Sequence, residues 1–349
     1  MSQFHIIKEN RGHNKMIKYL EIHGLRGFGE CQKVNFAIPS SHKRGSGLTI
    51  FVGANNTGKT TIIEALRAFN APRDSPPTFS EKKRNLKCNG GEVHLSLGDN
   101  NDDVYHIDST PYGGSSTKMS KEEDRSGEIW QVPTIYVLQS RRSVDYEFHQ
   151  SNMDRNIYMI NQQLNAKNRA ANLDQFNARI FKMLENKREF DKLLYKVLEQ
   201  NMEWTIDQND SGTYYIKIKQ NGYYHSSEGL GDGVWSVFTI CDALYDSKPG
   251  DIIVIDEPEL SLHPATQKKI MSLFEEYACD RQIIISTHSP YFIDFEAIQN
   301  GAYLYRTHKN VNGDIFLYTM SDKSRKCISS FLKDFHQPHI FGLEAKEIF

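Results

Sequence analysis

The chain has 349 residues, a net charge of −2 and five cysteines. Its length suits about two domains, and 38% hydrophobic against 25% charged residues gives it the composition of a chain with a sizeable core. The near-neutral balance excludes a global basic field for nucleic acid, and the scattered cysteines, with no CxxC spacing, exclude a disulfide framework or a zinc site. No apolar run approaches the roughly 18 residues of a membrane span, and the start, MSQFHIIKENRGHNK, has no signal-peptide core. A cytoplasmic protein with no membrane partner is expected.

Residues 1–15 read as a polar extension. From Met16, "MIKYLEIHGLRGF" and "CQKVNFAI" predict two strands around a Gly-rich turn. "LTIFV" (48–52) reads as a buried strand, and "GANNTGKTTIIEALRAF" follows it with Ile62, Ile63, Leu66 and Phe69 at helical spacing. Residues 99–129 are polar and include Gly113-Gly114-Ser115-Ser116, so a mobile surface loop is expected there. "TIYVL" (134–138) predicts another buried strand.

Residues from about 150 to 203 read as helical. One stripe runs through Phe176, Ile180, Met183 and Leu184, and a second through Phe190, Leu193, Leu194, Val197 and Leu198. Both are short, which predicts a packed lobe and not a long coiled coil. "TYYIKIKQNGYYHSS" alternates around Asn221-Gly222, a hairpin signal. Its tyrosines suit a half-buried sheet face better than base stacking. "SSEGLGDGVWSVF" (226–238) is a small-residue loop that turns apolar at helical spacing. "DIIVIDEP" (251–258) and "QIIIST" (282–287) are continuous apolar runs, as in the central strands of a covered parallel sheet. The basic runs Lys82-Lys83-Arg84, Lys87 and Lys323, Arg325, Lys326 read as solvated faces.

Three motifs carry chemistry. Gly53-Ala54-Asn55-Asn56-Thr57-Gly58-Lys59-Thr60 fits G-x-x-x-x-G-K-[ST] between a predicted strand and a predicted helix. Gly53 and Gly58 allow a tight loop whose N–H groups, with the helix dipole, face phosphates. Asn55, Asn56 and Thr61 belong to the same loop and helix start. Lys59 can reach the β and γ phosphates of ATP, and the Thr60 hydroxyl can ligate Mg²⁺. Second, Ile252-Ile253-Val254-Ile255 ends in Asp256 and Glu257. Asp256 would hold the Mg²⁺ shell, and Glu257 would orient or deprotonate the attacking water. Third, Ser286-Thr287-His288 ends the next strand, where His288 could bond the γ-phosphate or the water.

The order of P-loop, helical lobe, Ser/Gly loop, "DEPE" and "STHSP" resembles the ABC-type ATPases over about residues 16–320. Within these it is similar to the soluble branch of RecF, SMC and OLD (overcoming lysogenization defect) proteins. "DEPELSLHP" (256–264) and "IIISTHSPYFID" (283–294) resemble the OLD-like pattern in particular. The resemblance implies an α/β fold: an ABC-type P-loop NTPase with a mixed or parallel core sheet, an antiparallel β-subdomain and an inserted helical lobe. The boundaries it implies are an extension over 1–15, a first ATPase lobe over 16–140 and a helical lobe with its hairpin over 141–225. The signature, Walker B and switch-histidine half follows over 226–320, and a tail over 321–349.

The resemblance also assigns roles. Ser227-Glu228-Gly229 matches the signature loop, which caps the γ-phosphate held by a second protomer, so that two ATPs are sandwiched head to tail in a homodimer or higher oligomer. "SSEGLGDG" departs from LSGGQ, and Asp232 adds a charge. Gln139 resembles the glutamine that senses Mg²⁺, with Arg141 or Arg142 as substitutes. Arg26 resembles an arginine aimed at the nucleotide. Glu259 and His263 resemble the D-loop across the dimer interface.

Similar ATPases of the Septu and PARIS anti-phage systems control a nuclease effector, a fused Toprim domain or a separate subunit of Toprim or HNH type. "PHIFGLEAKEIF" (338–349) resembles the segment before Toprim. With no acidic Toprim cluster after it, this chain alone is not expected to cut DNA. The alternative is a RecF- or SMC-like ATP-gated DNA-binding protein of DNA repair.

Overall fold

A computed structural model describes residues 15–40, 43–111, 117–122, 131–140, 147–148, 181, 183–210, 214–220, 222–226 and 231–319. At its centre lies a six-stranded sheet: β3 (Leu48–Val52), β7 (Ile135–Leu138), β12 (Ile252–Asp256), β13 (Gln282–Thr287), β14 (Tyr303–Lys309) and β15 (Ile315–Thr319). The order is β15-β14-β3-β13-β12-β7, all parallel except the β14–β15 hairpin. The apolar runs expected as central strands are these. Every residue of β3, β12 and β13 is buried, as a sheet covered on both faces requires.

Alternate residues of each strand feed two cores. Ile50, Ile253, Ile255, Ile283 and Ile285 join the first, with Trp235, Phe238 and Phe274. Phe51, Ile252, Val254 and Ile284 join the second, with Ile62, Leu66 and Phe69. The first core is covered by helix α2 (Lys187–Leu198), helix α3 (Asp232–Tyr245) and helix α4 (Pro264–Tyr277). Helix α1 (Lys59–Ala68) covers the second, with an antiparallel sheet. That sheet has the order β2-β1-β4-β5-β6, from β1 (Ile17–His23), β2 (Gln32–Asn35), β4 (His94–Asp99), β5 (Val104–Ser109) and β6 (Thr117–Lys121).

Two of these strands fall where the sequence predicts a mobile loop. Residues 104–109 and 117–121 are β5 and β6, with Tyr105, Ile107 and Met119 facing the core. The period of two is present there, hidden among His106, Asp108 and Lys118. A second correction concerns the basic run at 82–84. Arg84 is buried and donates to the carbonyls of Phe79 (3.0 Å), Gly91 (3.1 Å) and Thr110 (2.7 Å). It is a staple between segments, not a solvated cation.

A third sheet is centred on β10 (Tyr214–Gln220), which pairs β8 (Glu147–Phe148), β9 (Glu203–Gln208) and β11 (Tyr223–Ser226) antiparallel. The predicted hairpin is β10–β11. Tyr214 is buried in the first core, whereas Tyr223 and Tyr224 are exposed. Much of the predicted helical lobe, with Phe176 and Ile180, and the C-terminal segment 338–349 lie outside the described residues. Among the described residues no helix is long and apolar enough to cross a membrane.

Candidate functional site

The segment Gly53–Gly58 joins β3 to α1. Gly58 is the N-cap of α1 in the left-handed region (φ 97), where a side chain would also meet Ile315 at 2.6 Å. Glycine suits both demands. Gly53 lies so close to Thr307 that a Cβ would come within 2.2 Å of its hydroxyl. Asn56 adopts φ 62 in the middle of the loop, a conformation that Asn tolerates better than most residues.

Beside the loop is a cleft of about 480 Å³. Asn55, Asn56, Gly58, Lys59, Thr60, Thr61, Arg26, Glu257 and His288 line it, with Thr57, Gly27, Lys309 and Ile315. Residues from five separate stretches of sequence therefore share one space. Gly53 takes part through its carbonyl.

Lys59 Nζ donates to the carbonyls of Gly53 (2.8 Å) and Ala54 (2.9 Å) and lies 3.4 Å from His288 Nδ1. Burial pushes its ammonium down to about 8, against the upward pull of Glu257, Glu259 and Asp256. Thr60 Oγ1 donates to Asp256 Oδ2 at 3.3 Å, and Ser286 Oγ donates to Asp256 Oδ1. The Ser140 hydroxyl bonds the same carboxylate. Burial raises the Asp256 pKa, and the Ser286 bond works against it. This set is all hard oxygen, carboxylate and hydroxyl, and it fits Mg²⁺. Among the described residues no cluster of three His, Cys, Asp or Glu forms a metal site, so any cation here would share its shell with water or phosphate.

Glu257 follows β12 with φ 47, and its N–H donates to the Ser286 carbonyl at 2.9 Å. His288 Nε2 lies 3.0 Å from Glu257 Oε1. The backbone N–H of His288 donates to Glu259 Oε1 at 2.5 Å, which ties the ends of β12 and β13 together. The Glu259 carboxylate turns inward to this contact, and burial raises its pKa. His263 caps α4, its Nδ1 accepting from Ala265 N at 3.2 Å. Of the six non-glycine residues at positive φ among the described residues, Arg26, Asn56 and Glu257 line this cleft, where strained backbone is commonly kept for function.

Arg26 reaches the cleft while ion-paired to Glu64 at 2.9 Å. Gln139 follows β7 and is not among the residues that line the cleft; Ser140, next to it, bonds Asp256. Ser227, Glu228 and Gly229, like Arg141 and Arg142, lie outside the described residues. The helix after that segment is α3, N-capped by Gly231 and buried on almost every side. Sequence reading missed Thr307, Lys309, Ile315 and Ser140, which carry no motif of their own.

The parallel sheet with a P-loop at the edge of β3, acids at the end of β12 and an antiparallel sheet beside α1 define an ABC-type P-loop ATPase. A family model described as "AAA domain, putative AbiEii toxin, Type IV TA system" matches residues 48–294, and the chain belongs to that family. It is 24% identical over 313 residues to the Septu protein PtuA of Bacillus thuringiensis, across 81% of this chain and 74% of that protein. Its fold is similar to an SMC head bound to the C-winged helix domain of ScpA, with a TM-score of 0.56 and 16% identity over 89% of this chain and 99% of that one. It is also similar to the Pyrococcus furiosus Smc head domain with an extended coiled coil, bound to the C-terminal domain of ScpA. There the TM-score is 0.54 at 14% identity, over 91% of this chain and all of the other. The chain is thus an ATPase of the AAA/ABC type, related to Septu PtuA, with an SMC-head fold.

Proposed function

We propose that this chain binds ATP with Mg²⁺ at the P-loop cleft, hydrolyses it, and controls a nuclease effector in anti-phage defence. The observation that carries the reading is the convergence of Lys59, Glu257 and His288 on one cleft, with Asp256 bonded to Thr60 of its lining. Lys59 and the loop N–H groups bind the β and γ phosphates. Thr60 and Asp256, with the Ser286 and Ser140 hydroxyls, would hold the Mg²⁺, which neutralises phosphate charge when bound. Glu257 orients the attacking water and draws its proton, and His288 holds Glu257 in place.

In this reading Ser227-Glu228-Gly229 of a second protomer closes the cleft, and ATP drives head-to-tail dimerisation. Gln139 and Arg26 respond to the bound nucleotide. The relation to Septu PtuA supports the defence role. The effector is then a separate subunit or a further Toprim domain. The domain limits given from the sequence belong to the same proposal.

The test is Glu257→Gln, assayed for ATP turnover and for mass in solution with ATP. Turnover should fall about 100-fold or more, and an ATP-dependent dimer should accumulate. Wild-type turnover in the variant would remove the catalytic assignment. Salt-sensitive binding to DNA ends with no nuclease partner would favour a DNA-repair clamp instead.

A further inference from the structure

We propose that Lys309, at the end of β14, is a further phosphate-binding residue of the cleft. The inference rests on the reading of that cleft as an ATP site. A triphosphate carries several negative charges, so the cations that line the cleft decide how well it is held. Three cationic side chains line it: Lys59, Arg26 and Lys309. Lys59, which serves the β and γ phosphates in that reading, donates to two loop carbonyls. Arg26 is paired to Glu64. Lys309 has no acidic partner among the described residues.

The neighbourhood explains why. The acid nearest in sequence, Asp314, accepts from Lys87 Nζ at 2.7 Å, and Lys87 also holds the Asn312 carbonyl. Asp314 further accepts from Asn310 Nδ2 at 3.3 Å. Its carboxylate is therefore committed away from Lys309.

Lys309 is also delivered to the cleft by a fixed backbone. Residues i and i+2 of a strand share a face, so Lys309 lies on the face of Thr307. The Thr307 hydroxyl lies 2.5 Å from the Thr57 hydroxyl, inside the P-loop. One turn further, Ile315 N donates to the Gly27 carbonyl at 2.8 Å, and Gly313 N closes on Asn310 O at 3.0 Å. The hairpin is thus pinned on both sides of Lys309, and only its side chain is left to move.

The experiment is calorimetric titration of ATP into the full chain with wild-type sequence, Lys309→Gln and Lys309→Arg, at low and high salt, with melting temperatures alongside. Lys309 is exposed, so all three should melt alike. Lys309→Gln should bind ATP about tenfold more weakly at low salt. Lys309→Arg should keep most of the affinity, and the deficit should shrink at high salt. Equal affinity of Lys309→Gln and wild type overturns the inference, as does a deficit that salt leaves untouched. Wild type that fails to bind ATP overturns the reading of the cleft itself.

Discussion

Thr57 and Thr307 are 250 residues apart in sequence, and their hydroxyl oxygens are 2.5 Å apart. One hydroxyl donates to the other, and the two also lie near carbonyls, Thr57 Oγ1 2.8 Å from Ala54 O and Thr307 Oγ1 3.3 Å from Val52 O. The pair fixes the start of the P-loop from outside it. Thr307→Val keeps the shape and deletes one hydroxyl, at a cost of about 1 kcal/mol. The KM for ATP should rise roughly fivefold with little change in kcat, and Thr307→Ser should restore it. A variant whose KM is unchanged would show that the loop holds its own shape. At this scale the sequence is legible where function is local. Gly53–Thr60 and Asp256-Glu257 announce themselves by spacing alone. Thr307 and Lys309 stand in "YLYRTHK", which has no signature, and only the neighbouring of β14 and β3 gives them a role. Arg84 misleads for the opposite reason: a basic run looks solvated until the carbonyls that surround its guanidinium are known.

Element patterns are read well when they are apolar and short of competing signals, as in β3, β12 and β13. They are read poorly in β5 and β6, where charged and turn-forming residues dilute the alternation. Helix α4 shows a cost that no pattern reveals. Glu275 sits near its C-terminal end, where the helix dipole disfavours a carboxylate. Burial, with Asp294 and Glu296 nearby, pushes its pKa up to about 7 despite Arg44 at 3.2 Å. A folded-state pKa above the unfolded value of about 4.3 means that the folded chain binds more protons between these limits. Stability from this group is full below about pH 4.3 and is lost as pH rises through 7. Glu275→Gln mimics the protonated acid. It should stabilise the protein by about 1 kcal/mol at pH 8, after discount for partial exposure, and have little effect at pH 4.5. Thermal melts at both pH values decide it; an equal effect at both would remove titration as the cause.

In the whole molecule the two sheets that flank α1 are joined through Gln282. Its side chain, fully buried, accepts from Ile17 N at 2.8 Å and donates to the carbonyls of Ile17 (2.8 Å) and Ala37 (3.0 Å). Gln282→Leu should leave those backbone groups without partners and cost about 2–3 kcal/mol, read as a lower urea midpoint. An unchanged midpoint would mean that the sheets hold together by apolar packing alone. The strand order has a further consequence during synthesis. Strand β3 emerges early, yet both its neighbours, β13 and β14, come more than 200 residues later. At about 5–20 residues per second, the ribosome leaves this hydrophobic strand without its sheet partners for roughly 10–50 s. The nucleotide pocket cannot exist in that interval, so ATP cannot assist the nascent chain. Holding chaperones, and the pace of translation, would set how much active protein a cell obtains.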